Sequence, residues 1–325
     1  GTADEVRQLV GESYMLRAYV HFLLVNLYGE PYTHCDPATS KAIPLKLNSD
    51  TEAVLTRNTV GEVYSSILSD LVEAEKYLNV DKWELGYNYR FTTLAVNALR
   101  SRVYLYMGDW AKSFEASEAV LSVNNQLVDM SSSTILPNEY NSSENILALE
   151  EVMNAQYVRA AKVATSLWKL YGTGDLRKSK YFKQVTASNI QVIKGGSNQY
   201  RCSFRVGEIY LNAAEAALMT GEAAIDVARE NLLTLMEKRY TANAYAAKEA
   251  AVNAMGRDEL LQEIYNERTR ELAFEGHRWF DLRRTTRPRL EKTFGGTSYV
   301  LEENDSRYTI RIPSEAIEAN PGLAN

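Results

Sequence analysis

The chain has 325 residues, of which 45% are hydrophobic and 24% are charged, and its 42 acidic against 36 basic side chains give a formal net charge of −6. This length permits a large buried core, in one domain or in two closely associated ones. A net negative charge disfavours a general nucleic-acid-binding protein. We find no secretion signal and no run of about 20 apolar residues that would predict a membrane-spanning helix.

The amino-terminal part predicts two helices. Apolar residues recur around much of the circumference of residues 6–28, which predicts a buried helix that ends at Gly29. After a loop, Asn58 or Thr59 can cap a second helix that runs to residue 78.

Two helix pairs with similar sequences follow. The predicted pairs are 91–107 with 109–123, turning at Gly108, and 204–220 with 222–239, turning at Gly221. The stretches YLYMGDWAKS and ALMTGEAAID align at the two turns. This patterning is tetratricopeptide-like, but the tandem period of about 34 residues is absent, so we expect the pairs to form a scaffold within a larger fold.

The segment between the pairs differs in character. Clusters of Gly, Ser and Asn divide it into short pieces, and ENILALEEV (144–152) and NIQVIKG (189–195) predict short strands. We therefore expect an all-α, mostly helical fold with a loop-rich insertion. The predicted organisation is one domain, 1–325, with a helical scaffold at 1–123 and 201–325 and an irregular, candidate ligand-facing insertion at 124–200.

The carboxyl-terminal part begins with residues 260–284, which predict one long amphipathic helix. Charged residues lie on its apolar stripe, and they must be paired because an isolated buried ion is costly. The pairs with the i,i+3 spacing of contacting helix residues are Glu267–Arg270, Arg268–Glu271, Glu275–Arg278 and Asp281–Arg284. Beyond this helix, 287–308 is predicted to be irregular, followed by a short strand and a helical turn near Ser314.

The cysteine and histidine pattern predicts no metal site and no cofactor. Cys35 and Cys202 lack the CxxC spacing of zinc and redox sites. The three histidines, His21, His34 and His277, have neither i,i+4 pairing nor a nearby cysteine. The sequence does not decide whether these two cysteines form a disulfide.

Four stretches carry recognisable motifs. They are ESYMLRAYVHFLLVNLYGEPY (12–32), FRVGEIYLNAAEAAL (204–218), NERTRELAFEGHRWFDLRR (266–284) and YTIRIPSEAIEANPGLAN (308–325). In this order they resemble the SusD/RagB family, the surface lipoproteins of Bacteroidetes nutrient-uptake systems. The third stretch is the closest match.

The resemblance implies a helical fold with tetratricopeptide-like pairs and a cell-surface nutrient-binding function, usually for oligosaccharides and in some members for peptides. It also implies delivery of the ligand to a TonB-dependent, SusC-like transporter. The implied location is the outer membrane, through a lipid anchor. We expect the signal and the lipidated cysteine to lie upstream of this chain, and we expect no nucleic-acid partner.

The pattern of acidic residues in the carboxyl-terminal helix favours a structural role over a catalytic one. Glycoside hydrolysis requires two carboxylates about 5 to 10 Å apart beside a cleft, and a catalytic acid must exchange its proton. Glu267, Glu271 and Glu275 instead have arginines at pairing distance. No GxSxG, P-loop or GxGxxG motif occurs. We expect no catalytic residue and no enzyme.

Loop aromatics with polar neighbours are the candidate ligand-binding residues. Sugars present apolar C–H faces and many hydroxyls, so a site needs exposed aromatic rings beside Asn, Asp, Gln or Arg. Core packing is the commoner role of such rings, but Gly and polar neighbours favour Trp83 and Trp168. The candidates are Trp83, Tyr87 and Asn88; Trp168, Tyr171 and Asp175; and Tyr32.

The alternative function is a tetratricopeptide-type adaptor that holds a peptide in a concave groove, or a peptide-import member of the same family. The adaptor requires an uninterrupted helical array. The irregular segment 124–200 counts against it.

Overall fold

The computed structural model of the protein describes residues 1–151, 153–187 and 189–324, and helices dominate it. The helices are α1 (Ala3–Tyr28), α2 (Val60–Tyr77), α3 (Thr93–Met107), α4 (Trp110–Leu121), α5 (Ala155–Ala160), α6 (Thr165–Leu170), α7 (Arg177–Lys180), α8 (Val206–Thr220), α9 (Ile225–Glu237), α10 (Ala242–Ala254), α11 (Arg257–Glu271), α12 (Arg278–Arg284) and α13 (Ser314–Ala319). The predicted all-α fold class is confirmed.

The strands form three antiparallel pairs, β1 with β4, β2 with β3, and β5 with β6. They are β1 (Asn145–Leu147), β2 (Phe182–Thr186), β3 (Asn189–Val192), β4 (Phe204–Arg205), β5 (Leu290–Phe294) and β6 (Thr297–Leu301). The strands predicted within 144–152 and 189–195 are present as β1 and β3, although Val152 lies outside the described residues.

Two predictions for the carboxyl-terminal part are wrong. The segment 287–308 is not irregular, because β5 and β6 pair as a regular hairpin around Gly295 and Gly296, both at positive φ. The expected strand before Ser314 is absent from the described residues there, and a 3-10 turn at Ser306–Tyr308 precedes an extended segment. The helical turn near Ser314 is present as α13.

Contacts within the chain divide it into two units. Unit 1 comprises Gly1–Leu78, Tyr106–Gly108 and Trp279–Asn325, and unit 2 comprises Asn79–Leu105 and Asp109–Arg278. The single domain expected from the sequence stays a prediction.

Unit 1 is built on the packing of α1 against α2. Thr59 caps α2 through a reciprocal hydrogen-bond pair with Glu62, as the sequence predicts. Helix α1 buries only one face, including Met15 and Phe22, against this neighbour. The expectation of a buried α1 holds for this face only, because the other face exposes Val6, Leu9, Val10, Leu16 and Val20.

Arg283 of α12 joins the carboxyl-terminal part of unit 1 to the end of α1. Its guanidinium donates hydrogen bonds to the carbonyl oxygens of Asn26 and Gly29, and its Nε donates to the carbonyl oxygen of Tyr308 at 2.9 Å. Burial lowers the pKa of Arg283 to about 10. These backbone acceptors keep the charged group solvated within the interior.

Residues 260–284 form two helices and not the single long helix that the sequence predicts. Helix α11 ends at Glu271 and α12 begins at Arg278, with Phe274 at φ 62° and Gly276 at φ 84° between them. Such left-handed residues end a helix. Arg205 Nη2 donates to the carbonyl oxygen of Glu271 at 2.9 Å, so a residue distant in sequence caps the end of α11.

The two predicted helix pairs are present in the structure. The pairs α3–α4 and α8–α9 turn at Gly108 and Gly221, whose φ angles are 72° and 148°. Helix α8 is buried along nearly its whole length and packs against α4, α9 and α11. Its small residues, such as Ala213 and Ala217, allow this close approach.

A cluster of buried charged residues, which we call the ion network, lies at the centre of unit 2. Its members are Glu144, Asp175, Arg177, Lys194, Arg205, Arg239, Glu267, Glu271 and Glu275. Glu271 pairs with Arg177 at 3.0 Å, Arg205 at 2.6 Å and Arg239 at 2.9 Å. All four side chains are at most 1% exposed. The network thus ties α11 to α7, to β4 and to the end of α9.

Only part of the predicted pairing of helix residues is observed. Glu267 pairs with Arg270 at 2.6 Å, and Asp281 pairs with Arg284 at 2.9 Å, both as expected. Glu275 instead pairs with Lys194 and Arg205, at 2.5 Å and 2.8 Å. The break after α11 accounts for this change, because it removes the helical i,i+3 geometry that the prediction assumed.

Gly207, in the first turn of α8, makes room for the ion network. A methyl group at this position would lie 2.5 Å from Nη1 of Arg205 and 3.0 Å from Oε1 of Glu271. We expect Gly207→Ala to lower the free energy of unfolding by about 1–3 kcal/mol through this overpacking, although alanine normally stabilises a helix interior relative to glycine. Urea unfolding measures the change.

Gly172→Ala is the matched control for this substitution, because no atom lies within 4 Å of a methyl group added there. Its urea midpoint should be close to that of the wild type. Equal midpoints for both variants would show that the network tolerates the extra methyl group.

Candidate ligand-binding site

Unit 2 contains a surface cavity, which we call the tyrosine cavity, with a volume of about 770 Å³. Loops from the start of unit 2 and from the insertion form its walls. The lining residues are Gly86, Asn88, Tyr89, Tyr140, Asn141, Ala148, Asn198, Gln199 and Arg201. A volume of this size is typical of small-molecule sites.

Hydrogen bonds hold the loops of the tyrosine cavity together. Asn88 is the main connector: its carbonyl oxygen accepts from the Ala148 amide at 2.9 Å, and its Nδ2 donates to the Tyr140 carbonyl oxygen at 2.6 Å. The Tyr140 amide donates to the Gln199 carbonyl oxygen at 2.9 Å. The three loops therefore form a fixed wall, which reduces the entropy cost of binding a ligand.

The cavity offers both of the surfaces that a sugar requires. Tyr89 and Tyr140 are 44% and 36% exposed, and the ring of Tyr87, 51% exposed, lies 6.5 Å from that of Tyr89. The side-chain amides of Asn141 and Gln199 supply polar groups beside these rings. Oδ1 of Asn141 accepts no hydrogen bond from the described residues, but this atom is buried and is not itself exposed to the cavity.

Of the residues predicted for ligand binding, Asn88 lines the tyrosine cavity and Tyr87 lies beside it. Trp83 does not line it. The Trp83 Nε1 donates to the Phe91 carbonyl oxygen at 3.1 Å, and the Arg90 guanidinium lies 4.0 Å from the ring centroid. The structure therefore places Trp83 as a half-buried packing residue.

In the second predicted group, Tyr171 and Asp175 lie in the interior of unit 2, where their packing does not support ligand contact. Tyr171 is 1% exposed and its hydroxyl donates to the Arg270 carbonyl oxygen at 2.7 Å. Asp175 is buried and pairs with Arg177 at 2.9 Å. Trp168 is half-buried and packs edge-on against Phe182, with ring centroids 5.9 Å apart.

Tyr32, the remaining candidate, belongs to unit 1. It is half-buried, and its ring packs edge-on against that of Tyr64, with centroids 5.0 Å apart. A ligand-binding role for Tyr32 stays a prediction, and the packing of its ring against Tyr64 does not support that role.

Several residues that line the tyrosine cavity were not among those predicted from the sequence. Tyr140 and Asn141 come from NEYN (138–141), and Asn198, Gln199 and Arg201 come from SNQYR (197–201). Both segments combine asparagine with an aromatic residue in a turn, which is the signal that also identified Asn88. Their convergence depends on the fold and is not visible in the sequence.

Unit 1 contains a different cavity of about 640 Å³, which we call the aliphatic cavity. Side chains such as Leu16, Val20, Ile43 and Pro313 line it. Its described lining also includes Tyr28 and His21, but no side-chain amide, and aliphatic side chains form most of it.

Among the described residues, no group of three or more His, Cys, Asp or Glu side chains is arranged to hold a metal ion. Cys35 and Cys202 are free thiols, so the disulfide left open by the sequence is not formed. No helix of the described chain is both long and apolar enough to cross a bilayer.

Comparisons with solved structures agree with the fold. A SusD superfamily protein of Bacteroides thetaiotaomicron superposes with a TM-score of 0.81 at 24% identity, covering 99% of this chain and 78% of that one. A SusD-like carbohydrate-binding protein of Bacteroides vulgatus gives a TM-score of 0.75 at 20% identity, with the same coverage. At these identities the likeness concerns the fold.

Sequence comparisons identify the family. A SusD-like protein of Formosa agariphila is 29% identical over 117 residues, which is 36% of this chain and only about a fifth of that relative's length. Residues 1–105 match a SusD-like family described as starch-binding and associating with the outer membrane, and residues 101–324 match the SusD family. Because the latter match spans more than half of the chain, the protein belongs to the SusD family.

Proposed function

We propose that the protein binds oligosaccharides at the outer-membrane surface, without catalysis, and that the tyrosine cavity is its binding site. The observation that carries the proposal is the pair of exposed rings, Tyr89 and Tyr140, in a cavity that is also lined by side-chain amides, in a member of the SusD family. Aromatic rings of this kind pack against the C–H faces of sugars. Amides beside them bind hydroxyls.

The state of the buried carboxylates supports a non-catalytic role. Burial raises the pKa of Glu267, Glu271 and Glu275, but the neighbouring cationic side chains outweigh burial and hold these pKa values below the ordinary range. A general acid must be protonated near neutral pH. These carboxylates therefore suit a structural role.

The proposed location and partner follow from the family. One matching family is described as associating with the outer membrane, and the SusD resemblance implies a lipid anchor upstream of this chain and a TonB-dependent, SusC-like transporter that receives the ligand. Copurification with such a transporter from native membranes tests the partnership. Its absence after mild cross-linking would count against delivery to a transporter.

We expect Tyr89→Ala and Tyr140→Ala each to weaken glycan binding about five-fold or more, because an aromatic contact contributes about 1 kcal/mol. Isothermal titration calorimetry with an oligosaccharide selected from a glycan panel measures the change. Unchanged melting temperatures would show that both variants fold normally.

Tyr299→Ala is the matched control, since this tyrosine is 59% exposed on the β5–β6 hairpin in unit 1. It should leave the affinity unchanged. If Tyr299→Ala weakened binding as much as the cavity variants, or if neither cavity variant had an effect, the tyrosine cavity would not be the site. A panel with saturable peptide binding and no glycan binding would favour the peptide-binding alternative.

A further inference from the structure

Arg201 is the one formally charged side chain among the residues described as lining the tyrosine cavity. It is half-buried, and its Nη2 donates to Oδ1 of Asn198 at 3.0 Å. No carboxylate of the described chain lies within 4.0 Å of its guanidinium. Since arginine has five N–H donors, donors remain for a ligand.

Glu139, which precedes the lining residue Tyr140, cannot serve as a counter-ion without losing its own partners. Glu139 is buried, and its two oxygens accept hydrogen bonds from the Leu136 amide at 2.8 Å and from Nε2 of Gln199 at 2.5 Å. The remaining lining residues are neutral amides, tyrosines, glycine and alanine. The described side chains that line the cavity therefore include one cation and no carboxylate, in a chain with a net charge of −6.

Arg201 is also held in position. Its carbonyl oxygen accepts a hydrogen bond from Nδ2 of Asn145 at 2.9 Å, which fixes the backbone in the wall of the cavity. The bond from its guanidinium to Asn198 restrains the far end of the side chain. A planar guanidinium held in this way is suited to bidentate binding of a carboxylate or a sulfate group.

We propose that the preferred ligand is an acidic oligosaccharide, in which a carboxylate or a sulfate ester pairs with Arg201 while a sugar ring packs against Tyr89 or Tyr140. This inference rests on the proposed glycan-binding function and specifies its substrate class. The carboxylate and the sulfate ester have in common that each is an oxyanion attached to a sugar. General charge attraction does not account for such a preference, because the whole chain is acidic.

Matched pairs of ligands test the inference. Oligogalacturonides are compared with their methyl esters, which keep the sugar ring and remove the charge, and a sulfated galactan oligosaccharide is compared with its desulfated form. We expect the acidic member of at least one pair to bind about ten-fold or more tightly than its neutral partner. The pair that shows this preference identifies carboxylate or sulfate as the recognised group.

Arg201→Gln should lower the affinity for the acidic partner to that for its neutral partner, whereas Arg201→Lys should retain part of the preference. Arg159→Gln, a matched change at an exposed arginine that does not line the cavity, should leave the preference intact. The preference should also decrease as salt concentration rises.

The outcomes separate this inference from the function on which it rests. Saturable binding of neutral and acidic partners with equal affinity, or a preference that survives Arg201→Gln, would overturn the inference and leave glycan binding in place. Failure of every glycan to bind would instead overturn the proposed function, and the inference with it.

Discussion

Glu271→Gln should lower the free energy of unfolding of unit 2 by about 3–5 kcal/mol, the range for removing one charge from a buried ion pair. The substitution leaves the shape of the side chain nearly unchanged but removes the charge that faces Arg177, Arg205 and Arg239. Three guanidinium groups would then share fewer buried carboxylates. Urea unfolding followed by circular dichroism measures the loss.

Glu237→Gln is the matched control in the same unit. Glu237 is 52% exposed and pairs with Lys238 at 2.9 Å, and exposed pairs contribute about 0–1 kcal/mol. A loss for Glu271→Gln no larger than that for Glu237→Gln would mean that the ion network does not hold the unit together.

The second large effect concerns acid stability and Glu208. Burial raises the pKa of Glu208, but Arg102, His277 and Arg268 together outweigh burial and lower this pKa from 4.5 to about 2. Arg102 makes two hydrogen bonds to the carboxylate, at 2.7 Å and 2.6 Å. Because the folded-state pKa lies below the unfolded value, the carboxylate stabilises the fold fully above about pH 4.5, and this contribution disappears as the pH falls towards 2.

A shift of this size corresponds to roughly 3 kcal/mol. We therefore expect Glu208→Gln to be strongly destabilised at pH 7, with a difference from the wild type that shrinks between pH 4.5 and pH 2. Melting temperatures of both proteins across this range measure the difference. The Glu237→Gln control should show no such convergence, and a constant difference for Glu208→Gln would contradict the assigned charge state.

Local patterns in the sequence predicted most of the helices. The glycine turns at Gly108 and Gly221 and the cap at Thr59 depend on neighbouring residues, so they are visible in a short window. The break between α11 and α12 is not visible in a short window, because Arg205, which caps the end of α11, is 66 residues away from Glu271. For the same reason the i,i+3 rule found Glu267–Arg270 but missed the partners of Glu271.

The candidate site was predictable only in part. Polar residues around an exposed aromatic indicated the loop that contains Tyr87 and Asn88, and this loop does reach a cavity. The same signal misplaced Asp175, because polar residues beside a glycine turn also occur where a chain enters a buried ion cluster. Arg201 was missed because it lines the same cavity as Asn88 only through the convergence of distant loops.

A crystal structure of the protein with an oligosaccharide selected from the binding panel tests the central claim most directly. We predict that the sugar occupies the tyrosine cavity, with a ring against Tyr89 or Tyr140 and a polar group within hydrogen-bond distance of Asn141. A sugar bound instead in the aliphatic cavity of unit 1, or against Trp168, would contradict the assignment of the site.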